Sequence, residues 1–408
     1  PAIQRTLKFV KYMRFFGWEP VILTVENGEY PAIDPSLIQE IPDNIQVYKT
    51  KAFQPFQLYR MLTGKKGNTH NNANVFGQKD TTFVERLAKW IRLNLFIPDA
   101  RIGWYAYAVK AAKKIIEQEH IDLIYSSSPP HSLQLIAQKI AKQNKIKWVA
   151  DFRDPWSELV HYQSYKRTWL TRKIDSHFEK SVFRSADRLV AAANDYATCI
   201  KTHVDRKIEV IYNGYDPSDF PKPKSRNTED FLITYTGELS EDRIPHALLR
   251  ALSRLEHSNI KLQFIGNTCP ELKQEIQRLN LGNKVILKPY MPHIASIAEL
   301  QQSDLLLLVI NQVANGKGIV PGKIFEYLGT RKPILCLGDP TGEAGEIIKT
   351  TNSGFCIAHH NEEEIFILLS RLSSGVLPGL SFQTEQFERK NETGQLCDIF
   401  NTLVNKPS

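Results

Sequence analysis

The sequence predicts an α/β protein built from two doubly wound domains. Short apolar runs alternate with amphipathic stretches along almost the whole chain. The alternation restarts after a polar, Pro-containing stretch, Asp216–Asp230. The length, 408 residues, suits two domains of ~100–200 residues each. An apolar content of 42% with 24% charged residues supports packed cores and argues against wholesale disorder. No run reaches the ~18 apolar residues of a membrane-spanning helix.

The elements follow in order. Lys8–Phe16 reads as a helix, with Phe9, Val10, Tyr12 and Met13 apolar, and Glu19–Val25 as a buried strand. Lys51–Arg101 breaks the pattern as a basic, aromatic-rich insert with a polar tip at Gly67–Gly77. Inside it, Phe83–Ile97 is amphipathic. Phe83, Leu87, Trp90, Ile91 and Phe96 form an apolar face beside Arg86, Lys89 and Arg92. Two readings stand: a helix packed on its own domain, or one lying on a membrane surface.

The alternation then resumes. Ile121–Ser126, Lys147–Asp151, Arg188–Ala192 and Ile208–Ile211 read as strands, with Ser132–Gln143 a helix between the first two. Beyond the polar stretch, Phe231–Thr236, Lys261–Gly266, Lys284–Leu287, Leu305–Val309 and Pro333–Leu337 read as strands, and Ala247–Leu255 as a helix. The expected division is 1–207, 208–388, and a C-terminal helix at 389–408 crossing back to the first domain.

The five cysteines are odd in number, widely spaced and without a Cys-x-x-Cys pair. That predicts a reducing, cytoplasmic setting with neither disulfide scaffold nor zinc finger. The net charge of +8 is uneven: residues 1–200 hold 29 Lys and Arg against 19 Asp and Glu, the remainder 23 against 25. A basic first half fits an anionic partner or, more simply, solubility. The basic residues are scattered and no recognition module is visible, which argues against nucleic acid.

In open α/β sheets, ligands bind beyond the carboxyl ends of the strands. Three such loops stand out in the first half. Ser126–His131 (SSSPPH) offers hydroxyls, helix amides and an imidazole to an anion, or simply caps a helix. Asp151–Trp156 (DFRDPW) crowds Asp151, Arg153 and Asp154 at a strand end, so each must pair, face water or face a ligand. Asn213–Asp216 (NGYD) is a turn signal.

In the second half, Gly237 follows a strand, where a ligand can approach the backbone, and Arg243 is placed to meet phosphates. Gly316–Leu328 is a Gly-rich loop entering a helix, so amides and the helix dipole can cradle a diphosphate. Lys323 adds charge, and Glu326 lies one turn in, where a carboxylate can accept two sugar hydroxyls. Lys317 and Ile324 break a Walker A pattern, and Pro321 breaks a Gly-x-Gly-x-x-Gly fingerprint. Serine-hydrolase, zincin and Asp-x-Asp signatures are absent from the sequence.

Together these segments resemble the retaining glycosyltransferases of family four, of GT-B fold and bacterial surface-polysaccharide type. The resemblance rests on NGYD at 213–216, YTGEL at 235–239, FIGN at 264–267, the Tyr290–His293 stretch and, above all, PGKIFEYLGTRKPIL at 321–335. It implies two Rossmann-like domains facing across a cleft, with an N-terminal acceptor domain and a C-terminal nucleotide-sugar domain. It implies donor binding by Gly237, Glu238, Arg243, Gly318, Pro321, Gly322, Lys323 and Glu326, with the base held near Gly266 and Tyr290. His131, Arg153 and Asp154 would face the reacting sugar from the first domain. No metal or other cofactor is implied. The acceptor would be a glycan or a lipid diphosphate, with a peripheral contact at the inner membrane face.

Two departures are visible. Where the family often has the first Glu of a Glu-x7-Glu pair, this chain has Gly318. The family also opens with a strand and a Gly-rich loop, whereas PAIQRTLKF resembles the end of that loop, so the resemblance implies a first strand ahead of Pro1. A non-catalytic nucleotide-sugar-binding scaffold and a nucleotide-sugar epimerase are the alternatives on the same fold.

Overall fold

The computed structural model describes residues 2–26, 28, 40–53, 83–156, 167–221, 226, 229–255, 258–312, 316–376 and 379–404. The polar tip at Gly67–Gly77 lies outside them. The chain divides into two compact units: Pro1–Tyr212 with Thr393–Ser408, and Asn213–Glu392.

The first unit contains α1 (Ala2–Met13), β1 (Val21–Val25), β2 (Gln46–Thr50), α2 (Phe83–Leu95), α3 (Tyr105–Glu119), β3 (Leu123–Ser128), α4 (Ser132–Asn144), β4 (Lys147–Phe152), α5 (Trp169–Ser185), β5 (Arg188–Ala191), α6 (Asn194–Lys201) and β6 (Ile208–Val210). β3–β4–β5–β6 form a parallel sheet in that order, and β1 and β2 a separate parallel pair. The boundary expected after residue 207 therefore moves. Ile208–Val210 pairs with Leu189–Ala191 and closes the first sheet, and the division falls after Tyr212.

Period-two alternation on β4 shows how the layers arise. Trp148, Ala150 and Phe152 point to one face, where they pack with Leu135 of α4 and Val182 and Phe183 of α5. Val149 points to the other, against Phe9 and Met13 of α1 and against Leu396, Cys397 and Phe400. Those last three belong to α13 (Arg389–Val404), whose residues from Thr393 onward count with the first unit. The Trp18 indole donates to Asn401 at 3.0 Å.

The same alternation turns Asp151 toward α1, where it meets Arg5. Both side chains are fully buried. Arg5 donates Nη2 to Asp151 Oδ1 at 2.9 Å and Nε to Oδ2 at 3.1 Å. Its remaining donors go to the carbonyls of Ile211 (2.9 Å) and Tyr212 (2.6 Å) at the exit of β6. Tyr125 and Ser127 donate hydroxyls to Oδ2 at 2.8 and 2.6 Å. Burial alone would raise the Asp151 pKa, but Arg5, Ser127 and Tyr125 outweigh it and hold it low.

The second unit contains β7 (Phe231–Thr236), α7 (His246–Arg254), β8 (Ile260–Ile265), α8 (Pro270–Arg278), β9 (Val285–Lys288), α9 (His293–Gln301), β10 (Leu305–Val309), α10 (Lys323–Thr330), β11 (Ile334–Leu337), α11 (Glu343–Thr350), β12 (Gly354–Ile357) and α12 (Glu362–Ser373). Its parallel sheet runs β12–β11–β10–β7–β8–β9. The order reverses between β7 and β10, which makes their shared carboxyl end the switch point. Leu305, Leu307 and Val309 of β10 pack with Ile233, Tyr235, Leu262 and Phe264 against α7 and α12. The NGYD turn is structural: the Tyr215 amide donates to the Phe387 carbonyl at 2.9 Å, and Asp216 caps Ser218.

Removing one partner of a buried ion pair strands the other charge, at a cost of about 3–5 kcal/mol. Arg5→Ala and Asp151→Ala are each expected to lose that much in urea unfolding. The stability tied to the Asp151 charge is in place at neutral pH and declines as the pH falls below the ordinary aspartate range, about 4. Loss of less than about 1 kcal/mol in either variant would show that the pair does not hold α1 to the sheet.

Candidate functional site

The richest group of polar side chains in the second unit gathers at its switch point. β7 ends at Thr236, and Gly237 follows with φ at +101°. Its amide donates to the Ile265 carbonyl at 2.7 Å. A Cβ here would come within 2.9 Å of Lys323 Nζ. Gly266 at the end of β8 has φ at +126°, and a Cβ there would meet the Gly237 carbonyl oxygen at 2.6 Å. The two glycines let adjacent strand exits close on each other and bring a bare backbone beside a cation.

Lys323 opens α10. Its ammonium lies 4.0 Å from the centroid of the Tyr235 ring and donates to the Tyr235 hydroxyl at 2.9 Å. The Tyr235 hydroxyl donates in turn to the Glu238 carbonyl at 2.8 Å. Arg243 closes the short turn Glu241–Arg243 and reaches the Glu238 carbonyl at 3.4 Å. Its Nε is buried without a hydrogen-bond partner among the described residues. Asn311, just past β10, donates to Asp242 at 3.1 Å and ties the β10 exit to that turn. Burial first, then the Arg243 charge, pushes Lys323 down to about 8, while Glu326 and Glu238 pull the other way. Among the described residues neither Arg243 nor Lys323 makes an ion pair. Two cations held together without a counter-ion, at a helix N-terminus whose first amides have no intrahelical acceptor, form a site for an anion.

Glu326 lies one turn further along α10, half-buried, with its Oε1 3.1 Å from His293 Nε2. The hydrogen bond to Glu326 is the main cause that raises the His293 pKa, opposed by burial. Gly318 is buried in the turn Gly316–Gly318, and Pro321 accepts from the Ile324 amide at 3.0 Å, with Gly322 beginning the helix. Tyr290 is 74% exposed beyond the edge strand β9. Tyr327, two residues before Gly329, sits beneath the site, its hydroxyl 3.3 Å from the Thr236 amide.

The first unit arranges its loops differently. His131 is 1% exposed, and its ring stacks on Trp156 with centroids 4.7 Å apart. Neither ring nitrogen has a hydrogen-bond partner among the described residues. Burial, followed by the Arg153 charge, lowers its pKa to about 3, against a smaller pull from the Pro155 backbone. Arg153 clamps the prolyl turn by donating to the carbonyls of Ser128 and Pro129. Burial lowers its pKa, opposed by Asp151 and Asp154. Asp154 is half-buried beside it. Asp99 supplies a cap that sequence reading missed: it accepts from the Ser132 amide at 2.8 Å and so starts α4 from 33 residues away. Tyr235 and His293 were missed as site residues too. Both lay inside quoted segments, but only folding sets them against Lys323 and Glu326.

Among the described residues no group of three or more His, Cys, Asp and Glu is placed to hold a metal ion. No described helix is long and apolar enough to cross a membrane.

Taken with this geometry, the comparisons define the class: the chain has the two-domain architecture of the GT-B glycosyltransferases. Residues 74–219 match the family described as Glycosyltransferase Family 4, and residues 217–374 match Glycosyl transferases group 1. No curated protein matches the chain in sequence. Solved structures share the fold along nearly its full length. A glycosyltransferase from Rickettsia africae aligns with a TM-score of 0.60 at 15% identity, covering 99% of this chain and 95% of its own. The lipopolysaccharide outer core galactosyltransferase WaaB in its apo form aligns at 0.59 and 13% identity, covering 98% and 95%. Anabaena Alr3699/HepE, solved with UDP and glucose, aligns at 0.55 and 15% identity, covering 98% and 96%.

The buried groups make two expectations. His131→Phe keeps the ring stack, so its stability at neutral pH should stay within about 1.5 kcal/mol of the wild type. Below about pH 6.5 the unfolded chain takes up a proton that the buried imidazole refuses. The wild type should therefore weaken against the variant by up to ~1.4 kcal/mol per pH unit, down to about pH 3. Parallel pH curves would show that the imidazole titrates freely.

Lys323 runs the other way. Above about pH 8 the folded protein sheds a proton that the unfolded lysine keeps, so stability gains with pH. Lys323→Met should lack that gain in a melting series between about pH 8 and 10. An identical slope in the variant would place the lysine in ordinary solvent.

Proposed function

We propose that the chain is a metal-independent, retaining glycosyltransferase that moves a sugar from a nucleotide-sugar donor to a glycan or lipid-linked acceptor. The observation that carries this reading is the Arg243–Lys323 pair, two cations without a counter-ion around Gly237. A nucleoside diphosphate supplies the missing charge. Glu326 lies one turn away, at the ribose, and Tyr290 with Gly266 borders the base. HepE, which shares the fold, was solved with UDP and glucose, which favours a nucleotide-sugar donor here.

The chemistry follows from where charge develops. As the glycosidic bond to the diphosphate breaks, negative charge grows on the leaving oxygen. Arg243, Lys323 and the first amides of α10 stabilise it without reorganising. The acceptor hydroxyl attacks the oxocarbenium-like sugar from the face the diphosphate leaves, and the departing phosphate takes its proton. Gly318 offers no carboxylate to the donor sugar, so backbone amides of that turn take over its hydroxyls.

In this reading the first unit carries the acceptor. Asp154 faces the reacting sugar, while His131 and Arg153 shape the Ser128–Pro130 turn from beneath. On α2, Leu87, Trp90 and Leu95 are exposed beside an exposed Arg86, which suits contact with an anionic membrane surface on the cytoplasmic side.

A thermal-shift screen with UDP-, GDP-, ADP- and dTDP-sugars, without added metal, tests the donor assignment. One nucleotide series at 100 times its Kd should add ~2.7 kcal/mol of stability. Glu326→Ala should lose that shift, and Arg243→Ala should weaken a nucleoside diphosphate more than the nucleoside. No shift with any series would favour a scaffold over an enzyme. The anomeric configuration of the product, read by NMR, decides retention.

A further inference from the structure

We propose that His293 is a positioning residue for the ribose end of the donor site, holding one oxygen of Glu326 so that the other is presented to the nucleoside. The inference rests on the donor reading above and adds a residue to it. His293 is the first residue of α9, and Glu326 sits in the first turn of α10. Their side chains meet at 3.1 Å, Nε2 to Oε1, with 34% and 29% of their surfaces exposed. Each is therefore open enough to be reached and buried enough to be held.

The need for such a contact comes from Lys323. Glu326 and Lys323 share one helix turn, and the carboxylate is close enough to raise the lysine's pKa. An unrestrained Glu326 would swing onto that ammonium and neutralise it, which would consume both the ribose acceptor and the phosphate cation. Instead Lys323 bonds the Tyr235 hydroxyl and Glu326 bonds His293. The two subsites stay separate because each charged group has its own neutral or histidine partner. An Nε2–H donates to Oε1 whether the imidazole is neutral or charged, so the contact survives across neutral pH. Asp219 adds a second negative charge near the ring and favours the cation.

Isothermal titration with UDP, GDP and ADP and their 2′-deoxy counterparts tests this on the full chain. His293→Ala should weaken the preferred ribonucleoside diphosphate roughly five- to tenfold, the scale of one hydrogen bond to a charged group. It should also shrink the preference for ribose over 2′-deoxyribose. His293→Gln, which can still donate, should recover most of both. Adding His293→Ala to Glu326→Ala should change nothing further. Binding that is unchanged or tighter in His293→Ala would overturn the proposal, as would an equal loss in the Glu326→Ala background. A wild type that binds no nucleoside diphosphate would instead overturn the donor reading and this inference with it.

Discussion

A parallel sheet sends every strand out at the same edge, and the second unit depends on that constraint. Because β7 and β10 are neighbours pointing the same way, the segments that follow them, Gly237–Arg243 and Asn311–Glu326, emerge side by side. Helices cover the sheet faces, so those exits are left free of the core and available to polar groups. Gly237 and Gly266 then remove the last steric obstacle between neighbouring exits.

Buried charge is treated in opposite ways in the two units. In the first, Arg5 and Asp151 saturate each other together with two hydroxyls and two carbonyls. Nothing in that network is left for a ligand. In the second, Arg243 and Lys323 share a tyrosine and a carbonyl but no carboxylate. Such an arrangement costs folding free energy and is tolerable where an incoming anion offsets it. The contrast separates structural ionic groups from functional ones more sharply than residue type does. Asp151 and Arg153 read as site residues from the crowded DFRDPW segment, yet their side chains are spent on α1 and on a prolyl turn.

Legibility differed with the range of the interaction. The strand Phe231–Thr236 was readable to the residue, because a fully buried parallel strand is a continuous apolar run. The edge strands β2 and β12 escaped, being short and half-buried with weak alternation. Ile208–Val210 was seen as a strand but assigned to the wrong sheet. Its apolar run says that it is buried, not which neighbour it pairs with, and the partner, Leu189–Ala191, lies some way back in the chain. Within the site, Lys323 and Glu326 were readable because loop, cation and carboxylate are contiguous. His293 was not, because its meaning lies in a partner 33 residues away.

The sequence by itself therefore determined the class of the fold, the two-part organisation and the Gly-rich loop entering α10, all of which are properties of local periodicity and of neighbouring residues. Only the tertiary structure decided which charges are paired. An Asp or a Lys carries the same charge in any sequence, and whether it is neutralised depends on side chains brought together from 146 residues away for Arg5 and Asp151, or left uncompensated for Lys323.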